Sequence, residues 1–265
     1  MKRIIILSLA VVFILGGCIK APEKITDIVD KEKIKDTVTD IVTKKLEESE
    51  QLKILKDYYS FIQDRMGEDK LLNFIADNIK GLDADKADDM LISLENYFSS
   101  KGYDMGKILK EVSPYLQYGS GELQSYFGIW DEEVNDQTTD GETSIIPVEE
   151  ILKRALKVEK HIEKFPEGKT RQRMEDLYRS YMSMSIKGLG NQYIYSEEGD
   201  STLSESVKEV YEEIINSNPD SWSGGILKEY LDEIKGDSFD LNGENAAFFY
   251  DHIDEIIDKI KRDKK

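Results

Sequence analysis

The sequence predicts an all-α protein, folded as a helical bundle or as an array of helical hairpins. Apolar residues recur at helical spacings of three and four through most of residues 25–262. In contrast, no run of six or more residues alternates apolar and polar side chains, and residues 192–195 are the nearest approach to a strand. Turn-forming residues, among them Gly81, Gly102 and Pro166, fall where the helical periodicity stops.

The N-terminal segment has the pattern of an export signal. Lys2 and Arg3 precede an apolar run over residues 4–15 that is interrupted only by Ser8. This run is too short to cross a bilayer as a helix, which takes roughly 20 apolar residues. No other segment of the sequence approaches that length. We therefore expect an exported chain that does not span the membrane.

The export signal ends in Leu15-Gly16-Gly17-Cys18, which resembles the lipobox of bacterial lipoproteins. The resemblance implies cleavage between Gly17 and Cys18 and a diacylglycerol, with acyl chains such as palmitate, on the Cys18 thiol. Cys18 is the only cysteine, so an exported chain cannot form an internal disulfide. Since two acyl chains give stable attachment, we expect a lipid anchor on the extracytoplasmic face of the cell membrane. The alternative is an ordinary signal peptide with an incidental cysteine.

The composition predicts a folded and strongly acidic body. The precursor carries 54 acidic and 36 basic residues, a formal charge of -18, and loss of Lys2 and Arg3 with the signal peptide takes it to -20. This balance argues against nucleic acid as a partner, because its recognition depends on basic residues that neutralise phosphates. It also argues against a body that lies flat on anionic lipid. With 39% hydrophobic residues, the chain can still form a core.

Composition and periodicity divide the chain into five segments. Residues 25–46 have an amphipathic helical pattern rich in β-branched residues and threonine, so this helix needs a partner, either as a stalk or as an arm on the body. Residues 131–144 are polar and acidic, with Val134 as their only large apolar residue, and indicate a linker. The predicted segments are a signal peptide (1–17), a lipid-anchored tether with the amphipathic helix (18–48), an N-terminal helical domain (49–130), an acidic linker (131–147) and a C-terminal helical-hairpin domain (148–265).

The N-terminal domain is predicted to contain four helices followed by a short aromatic segment. Helical periodicity covers residues 52–65 and 70–80, a third helix that ends at Gly102, and residues 104–116. Asp83 can cap the third helix, and Pro114 should kink or end the fourth. The pattern leaves open whether residues 121–130 form a further helix.

The C-terminal domain is predicted to contain two helical hairpins and a last helix. Residues 148–165 and 171–187 flank one proline turn, and residues 203–217 and 225–234 flank a second turn about 53 residues later. This unit is loosely similar to helical hairpins of the tetratricopeptide type, although its period exceeds the usual value of about 34. The alternative is that all helical hairpins resemble one another. The matching positions are Ile162 with Ile215, Met174 with Leu227, Leu177 with Tyr230, and Tyr181 with Ile234. In the last helix, residues 244–262, the apolar positions are Ala247, Phe248, Ile253, Ile256, Ile257 and Ile260.

A group of four aspartates is the best candidate for calcium binding: Asp83, Asp85, Asp88 and Asp89. An EF-hand loop needs a ligand at its fifth position, glycine at its sixth and glutamate at its twelfth. A loop that starts at Asp83 has Ala87, Asp88 and Leu94 there. A helix cap with an acidic first turn is the better interpretation.

Other catalytic and metal-binding patterns are missing from the sequence. Neither His161 nor His252 belongs to a ligand spacing such as HExxH. Ser180 and Ser183 lie within a helical pattern without a nearby base, and no GxSxG motif occurs. The sequence therefore predicts no catalytic residue, no metal and no cofactor.

Tyrosines concentrated in the C-terminal half provide the one candidate for a binding surface: Tyr178, Tyr181, Tyr193, Tyr195, Tyr211 and Tyr230. Tyrosine-rich faces of helical repeats bind peptides or glycans, because the ring offers contact area at a low entropy cost. The alternative is that these rings pack in the core. The segment 188–200 is long enough to be functional rather than a simple connection.

The leading functional hypothesis is a non-enzymatic envelope lipoprotein whose helical body binds a protein or a wall component. A glycan-cleaving, lysozyme-like enzyme is the alternative, and it would need an acid in a deep cleft. A solute-binding lipoprotein comes third, because that class normally alternates strands and helices. The sequence does not indicate an oligomeric state.

Overall fold

The computed structural model describes residues 48–141, 143–189, 194–196 and 201–263. The predicted signal peptide, lipobox and amphipathic segment 25–46 lie outside these residues. The described residues fall into two units, with the boundary between residues 56 and 57. In the first unit, the described residues 48–56 are helical.

The described residues confirm the all-α prediction. The only β-structure among these residues is isolated β-bridges, one of which joins Thr139 to Ser144. After helical residues 57–63, the first set of helices is α1 (Glu68–Asn78), α2 (Ala84–Ser100), α3 (Met105–Val112) and α4 (Gly121–Asn135). Short 3-10 helices occupy Ile79–Gly81 and Ser113–Tyr118.

Side-chain caps define where these helices begin. The Asp83 carboxylate accepts the Lys86 N–H at 3.1 Å at the start of α2, as the sequence predicts. Asp104 caps α3 in the same way, since its carboxylate accepts the Lys107 N–H at 2.8 Å. At the other end of α2, Gly102 adopts a φ of 81°, the left-handed conformation that favours glycine after a helix.

Two expectations for this first set of helices concern the break at Pro114 and the segment 121–130. α3 ends at Val112, one residue before the 3-10 helix that contains Pro114, so the predicted break at this proline is confirmed. The short segment 121–130 is in fact part of α4, which continues to Asn135. Ser120 caps this helix, because its hydroxyl accepts the Leu123 N–H at 3.3 Å.

The second set of helices contains two sequential pairs and a last helix: α5 (Val148–Lys164), α6 (Arg171–Lys187), α7 (Glu205–Ser217), α8 (Trp222–Ile234) and α9 (Glu244–Asp263). α5 packs closely on α6, and α7 packs on α8. α9 packs against α8 and α6, while α5 also contacts α8 and α7, so the two pairs share one core. The predicted helix–turn–helix pairs are therefore present.

The two pairs are only partly equivalent in their buried positions. Met174 and Leu227 are both fully buried, as are Tyr181 and Ile234. In the other two predicted matches, Ile162 and Tyr230 are buried, but Ile215 and Leu177 are only half-buried. The similarity to tetratricopeptide hairpins remains a prediction.

The described residues of the predicted acidic linker, 131–141 and 143–147, belong to the second unit, which is not divided there. The first residues of this segment belong to α4, which packs directly on α5. Thr138 and Ser144 are buried, and the Ile145 N–H donates to the carbonyl of Thr138 at 3.0 Å. Ser144 N–H donates to the carbonyl of Leu189 at 3.3 Å. The composition was misleading because an arginine of α5 pairs with the acids of this segment.

Candidate functional site

The sequence-predicted residues for lipidation and cleavage, Cys18 and Gly17, lie outside the described residues. Of the six tyrosines, Tyr193 also lies outside them and Tyr195 is half-buried. The remaining four rings are at most 1% exposed: Tyr178, Tyr181, Tyr211 and Tyr230. The structure corrects the prediction for these four, because they pack in the core and cannot form a binding surface.

Hydrogen bonds from the buried tyrosines connect different helices. The Tyr178 hydroxyl lies 3.2 Å from the Ser223 hydroxyl, and Tyr211 donates to the backbone carbonyl of Ser185. Tyr230 lies 3.1 Å from the hydroxyl of Tyr250. Burial raises the pKa of Tyr178, Tyr211 and Tyr230 well above the usual range. These hydroxyls thus remain protonated and satisfied inside the core.

A buried ion pair joins α4 and the following segment to α5. The Arg154 side chain is 3% exposed, and its Nη1 lies 2.7 Å from Glu133 Oε1. The same nitrogen donates to the carbonyl of Asp136 at 2.6 Å and to the Thr138 hydroxyl at 3.0 Å. Arg154 Nη2 lies 2.5 Å from Asp136 Oδ2. The guanidinium therefore connects three residues of the predicted linker.

Glu133 is held in its ionised form by this arrangement. Burial alone would raise the pKa of its carboxyl group, but hydrogen bonds from Thr138, Tyr181 and Arg154 hold the pKa below its usual value. The Thr138 and Tyr181 hydroxyls both donate to Glu133 Oε1. Together with Arg154, these hydroxyls give Oε1 three donors, while the Thr138 N–H lies 3.4 Å from Oε2. Glu133 therefore serves as a structural carboxylate.

A cleft of about 470 Å³, here called the Trp130 cleft, lies beside this ion pair. α3 and the residue before it contribute Asp104, Met105 and Gly106, and α4 contributes Trp130, Glu133 and Val134, with Gln137 and Thr139 beyond its end. A Cβ atom on Gly106 would lie 3.3 Å from Val134 Cγ1. Glycine at this position therefore lets α3 approach α4 and leaves the cleft open.

A second concave surface, here called the Phe248 groove, lies between α8 and α9. Its volume is about 370 Å³, and it includes the buried Phe249 and Ile256. The Phe248 side chain is 54% exposed, and its ring stacks on His252 with centroids 4.3 Å apart. The charged lining residues are Glu229, Glu233, Glu255, Lys259 and Arg262. Lys259 Nζ lies 3.0 Å from Glu229, so this pair is neutralised.

The fold also brings a serine and a histidine together that the sequence does not connect. Ser125 of α4 lies 2.9 Å from Nδ1 of His161 on α5. His161 Nε2 lies 3.0 Å from the hydroxyl of Thr170, which donates to Glu122 at 2.6 Å. Since the Thr170 proton goes to Glu122, Thr170 accepts from Nε2–H, and neutral His161 accepts the Ser125 proton at Nδ1.

This Ser125–His161 network connects α4, α5 and the turn before α6. The Thr170 N–H also donates to Glu122 at 2.7 Å, which fixes that turn on the first residues of α4. Burial lowers the pKa of His161, against the opposing effect of the Glu122 carboxylate. The histidine is consequently neutral near pH 7. Both of its ring nitrogens are occupied by contacts between secondary-structure elements, which is the arrangement of a structural histidine.

The predicted calcium candidates take part in contacts within the protein. Asp85 and Asp89 each lie 2.7 Å from Lys169 Nζ. Asp88 is buried and accepts the Ser120 N–H at 2.8 Å. Within the described ranges, no group of three or more His, Cys, Asp or Glu side chains is arranged to hold a metal ion.

No family model matches the chain, and neither the curated proteins nor the solved structures include a significant match. In the part of the chain that the structure describes, none of the helices is both long enough and apolar enough to cross a membrane.

Proposed function

We propose that this protein is an envelope lipoprotein, anchored through lipid on Cys18, whose helical body binds another protein without catalysis. The anchor rests on the resemblance of Leu15-Gly16-Gly17-Cys18 to a lipobox and on Cys18 being the only cysteine. The binding role rests on one observation, the exposed Phe248 ring in the Phe248 groove.

Phe248 has the properties of an anchoring residue at a protein interface. Its ring is presented by a regular helix and stacked on His252, so little conformational freedom is lost on binding. Full burial of a phenylalanine side chain contributes about 1.5–3 kcal/mol. Since 54% of Phe248 is exposed, a partner that covers it gains roughly half of this amount, about 0.8–1.6 kcal/mol.

The charges around the groove favour a basic partner segment that carries an apolar side chain. Three glutamates and two basic residues line it, and one glutamate is already paired with Lys259. The whole chain has a formal charge of -18. Such a field accelerates association with a basic segment and disfavours an acidic one.

A glycan-cleaving enzyme fits the described residues less well. That chemistry requires a carboxylic acid that is protonated at the working pH and lies in a cleft. Glu133 lines the Trp130 cleft, but its pKa is lowered, and Arg154, Tyr181 and Thr138 all donate to its Oε1. Burial raises the pKa of Glu159, which lines another cleft, but both of its oxygens already accept hydrogen bonds from Trp222 and Ser223. The third hypothesis, a solute-binding lipoprotein, gains no support from the helical elements described above.

Cross-linking in intact cells tests this proposal. The photo-reactive analogue p-benzoylphenylalanine replaces Phe248, and a matched variant carries it at Ile145, which is 51% exposed. We expect one recurrent cross-linked protein from position 248 only, and an N-terminal peptide that begins at diacylated Cys18. Phe248→Ala should then weaken binding of the identified protein about tenfold, whereas Ile145→Ala should not.

Each half of the proposal can fail separately. Capture of the same proteins at both positions, or unchanged affinity of Phe248→Ala, would overturn the binding role. Mass spectrometry that finds unmodified Cys18 in a secreted protein would overturn the anchor. Turnover of a wall polymer by the purified chain, lost on substitution of a single acid, would establish the enzyme alternative instead.

A further inference from the structure

We infer that the Trp130 cleft is a binding site for an uncharged saccharide. This site does not depend on the lipid anchor or on the Phe248 groove. The cleft volume of about 470 Å³ falls within the range of small-ligand sites, about 300–1,000 Å³. It is therefore large enough for a ligand of one or two sugar rings.

The lining of the cleft combines an apolar wall with neutral polar groups. Trp130, Met105 and Val134 provide the apolar surface, on which the C–H face of a sugar ring can pack. Gln137 offers both donors and acceptors through its amide, and Thr139 offers a hydroxyl. A few polar groups around an aromatic surface are the arrangement that orients a ligand rich in hydroxyl groups.

The charges of the cleft select against anionic ligands. The lining residues include two carboxylates, Asp104 and Glu133, and no lysine or arginine. Glu133 is paired within the protein, because Arg154 lies 2.7 Å from it. An anionic ligand would therefore find no cationic partner among the lining residues.

The walls of the cleft are fixed before any ligand binds. Glu133 is held by the buried Arg154, and Thr139 forms a β-bridge with Ser144. Gly106 keeps the space open, since a side chain at this position would project between α3 and Val134. A pre-organised cleft loses little conformational entropy on binding, which favours recognition of an uncharged ligand.

Fluorescence titration tests this inference directly. The chain contains two tryptophans, Trp130 and Trp222, so Trp222→Phe leaves Trp130 as the only reporter. Titration of the full chain with N-acetylglucosamine disaccharide should give a saturable emission change. Isothermal titration with the unsubstituted chain should give the same Kd. Glucuronate, as an anionic probe, should bind at least tenfold more weakly.

Substitutions distinguish binding in the cleft from binding elsewhere. Gly106→Leu places a side chain in the cleft and should weaken binding at least tenfold. Gly128→Leu is its matched control on α4, because a Cβ there meets no atom within 4 Å. Gln137→Ala changes an exposed side chain, keeps the fold and should weaken binding several-fold. Absence of saturable binding, equal binding by glucuronate, or unchanged affinity in both Gly106→Leu and Gln137→Ala would overturn the inference.

Discussion

Replacement of Arg154 by methionine is the strongest test of how the second unit is held together. Methionine keeps much of the unbranched apolar stem but removes the guanidinium group. Three acceptors then lose the hydrogen bond that Arg154 Nη1 donates: the Glu133 carboxylate, the Thr138 hydroxyl and the carbonyl of Asp136. The region affected is the one that the sequence suggests to be a linker.

The expected loss of stability follows from which groups remain buried. Removal of one partner from a buried ion pair costs about 3–5 kcal/mol, because the other charge is left without compensation. Here Glu133 keeps its hydrogen bonds from Thr138 and Tyr181, and the Asp136 side chain is 68% exposed and regains water. We therefore expect the lower end of the range, about 3 kcal/mol. For a unit of this size, this loss corresponds to a fall in Tm of about 6–12 °C.

Urea unfolding followed by circular dichroism measures this loss, and a neighbouring residue provides the control. Lys153 pairs with Glu149 at 2.6 Å, but both side chains are at least half exposed. Lys153→Met should therefore leave the unfolding midpoint unchanged. The double variant Arg154→Met with Glu133→Gln should be less destabilised than the sum of the single variants by about 1.5 kcal/mol or more.

Two outcomes would refute this reasoning. If Arg154→Met lost less than about 1 kcal/mol, the cluster would behave as a solvated surface network. If the two single variants were additive, Arg154 and Glu133 would not be coupled, and their ion pair would not explain how Asp136 and Thr138 are held against α5.

Two further predictions concern pH and helix capping. Burial lowers the pKa of His161 in the folded protein. As the pH drops from 7 through 6.5, this histidine therefore takes up a proton in the unfolded chain before it does so in the folded protein. The free energy of unfolding should consequently fall over this pH range. Urea unfolding across pH 5–7.5 should show that this fall is smaller in His161→Gln than in the unsubstituted protein and is unchanged in His252→Gln. If the free energy of unfolding had the same pH dependence in all three proteins, His161 would not be the group responsible. Asp83→Ala should destabilise the protein by about 1 kcal/mol through loss of the α2 cap. Asp77→Ala, at an exposed position in the last turn of α1, should not destabilise it, and an equal loss in both variants would contradict a capping role.

The sequence predicts those features that depend on neighbouring residues. Helical periodicity identifies the paired helices around the Pro166 turn, and Asp83 marks the start of α2. Predictions from neighbouring residues fail where a contact with a residue far along the chain determines the structure. α8 begins at Trp222, three residues before the predicted start, even though Gly224 and Gly225 disfavour a helix. The buried Glu159 of α5 accepts the N–H groups of Trp222 and Ser223, and this contact across 63 residues stabilises the first turn.

The predicted tyrosine surface failed for a related reason. A tyrosine near glycines gives the same sequence pattern whether its ring lies in the core or on the surface. Tyr178 and Tyr181 of α6 are three residues apart, and Met174 and Met182 lie on the same buried side. This spacing of three and four residues is typical of a core-facing stripe. Their hydroxyl partners, Ser223 and Glu133, lie about 45 residues away in each case and are not predictable from local pattern.

The Phe248 groove, in contrast, could have been inferred from the register of α9. The predicted stripe included Ala247 and Phe248, whereas the structure buries Ala246 and Phe249. Phe249, Ile253, Ile256, Ile257 and Ile260 follow spacings of four, three, one and three, so Phe248 lies about 100° away from the first of them. An aromatic ring off the apolar stripe of a helix does not serve that helix's own packing. Phe248 is informative because its exposed ring lies at a concave surface that also includes Phe249 and Ile256, and the proposed binding role rests on this combination.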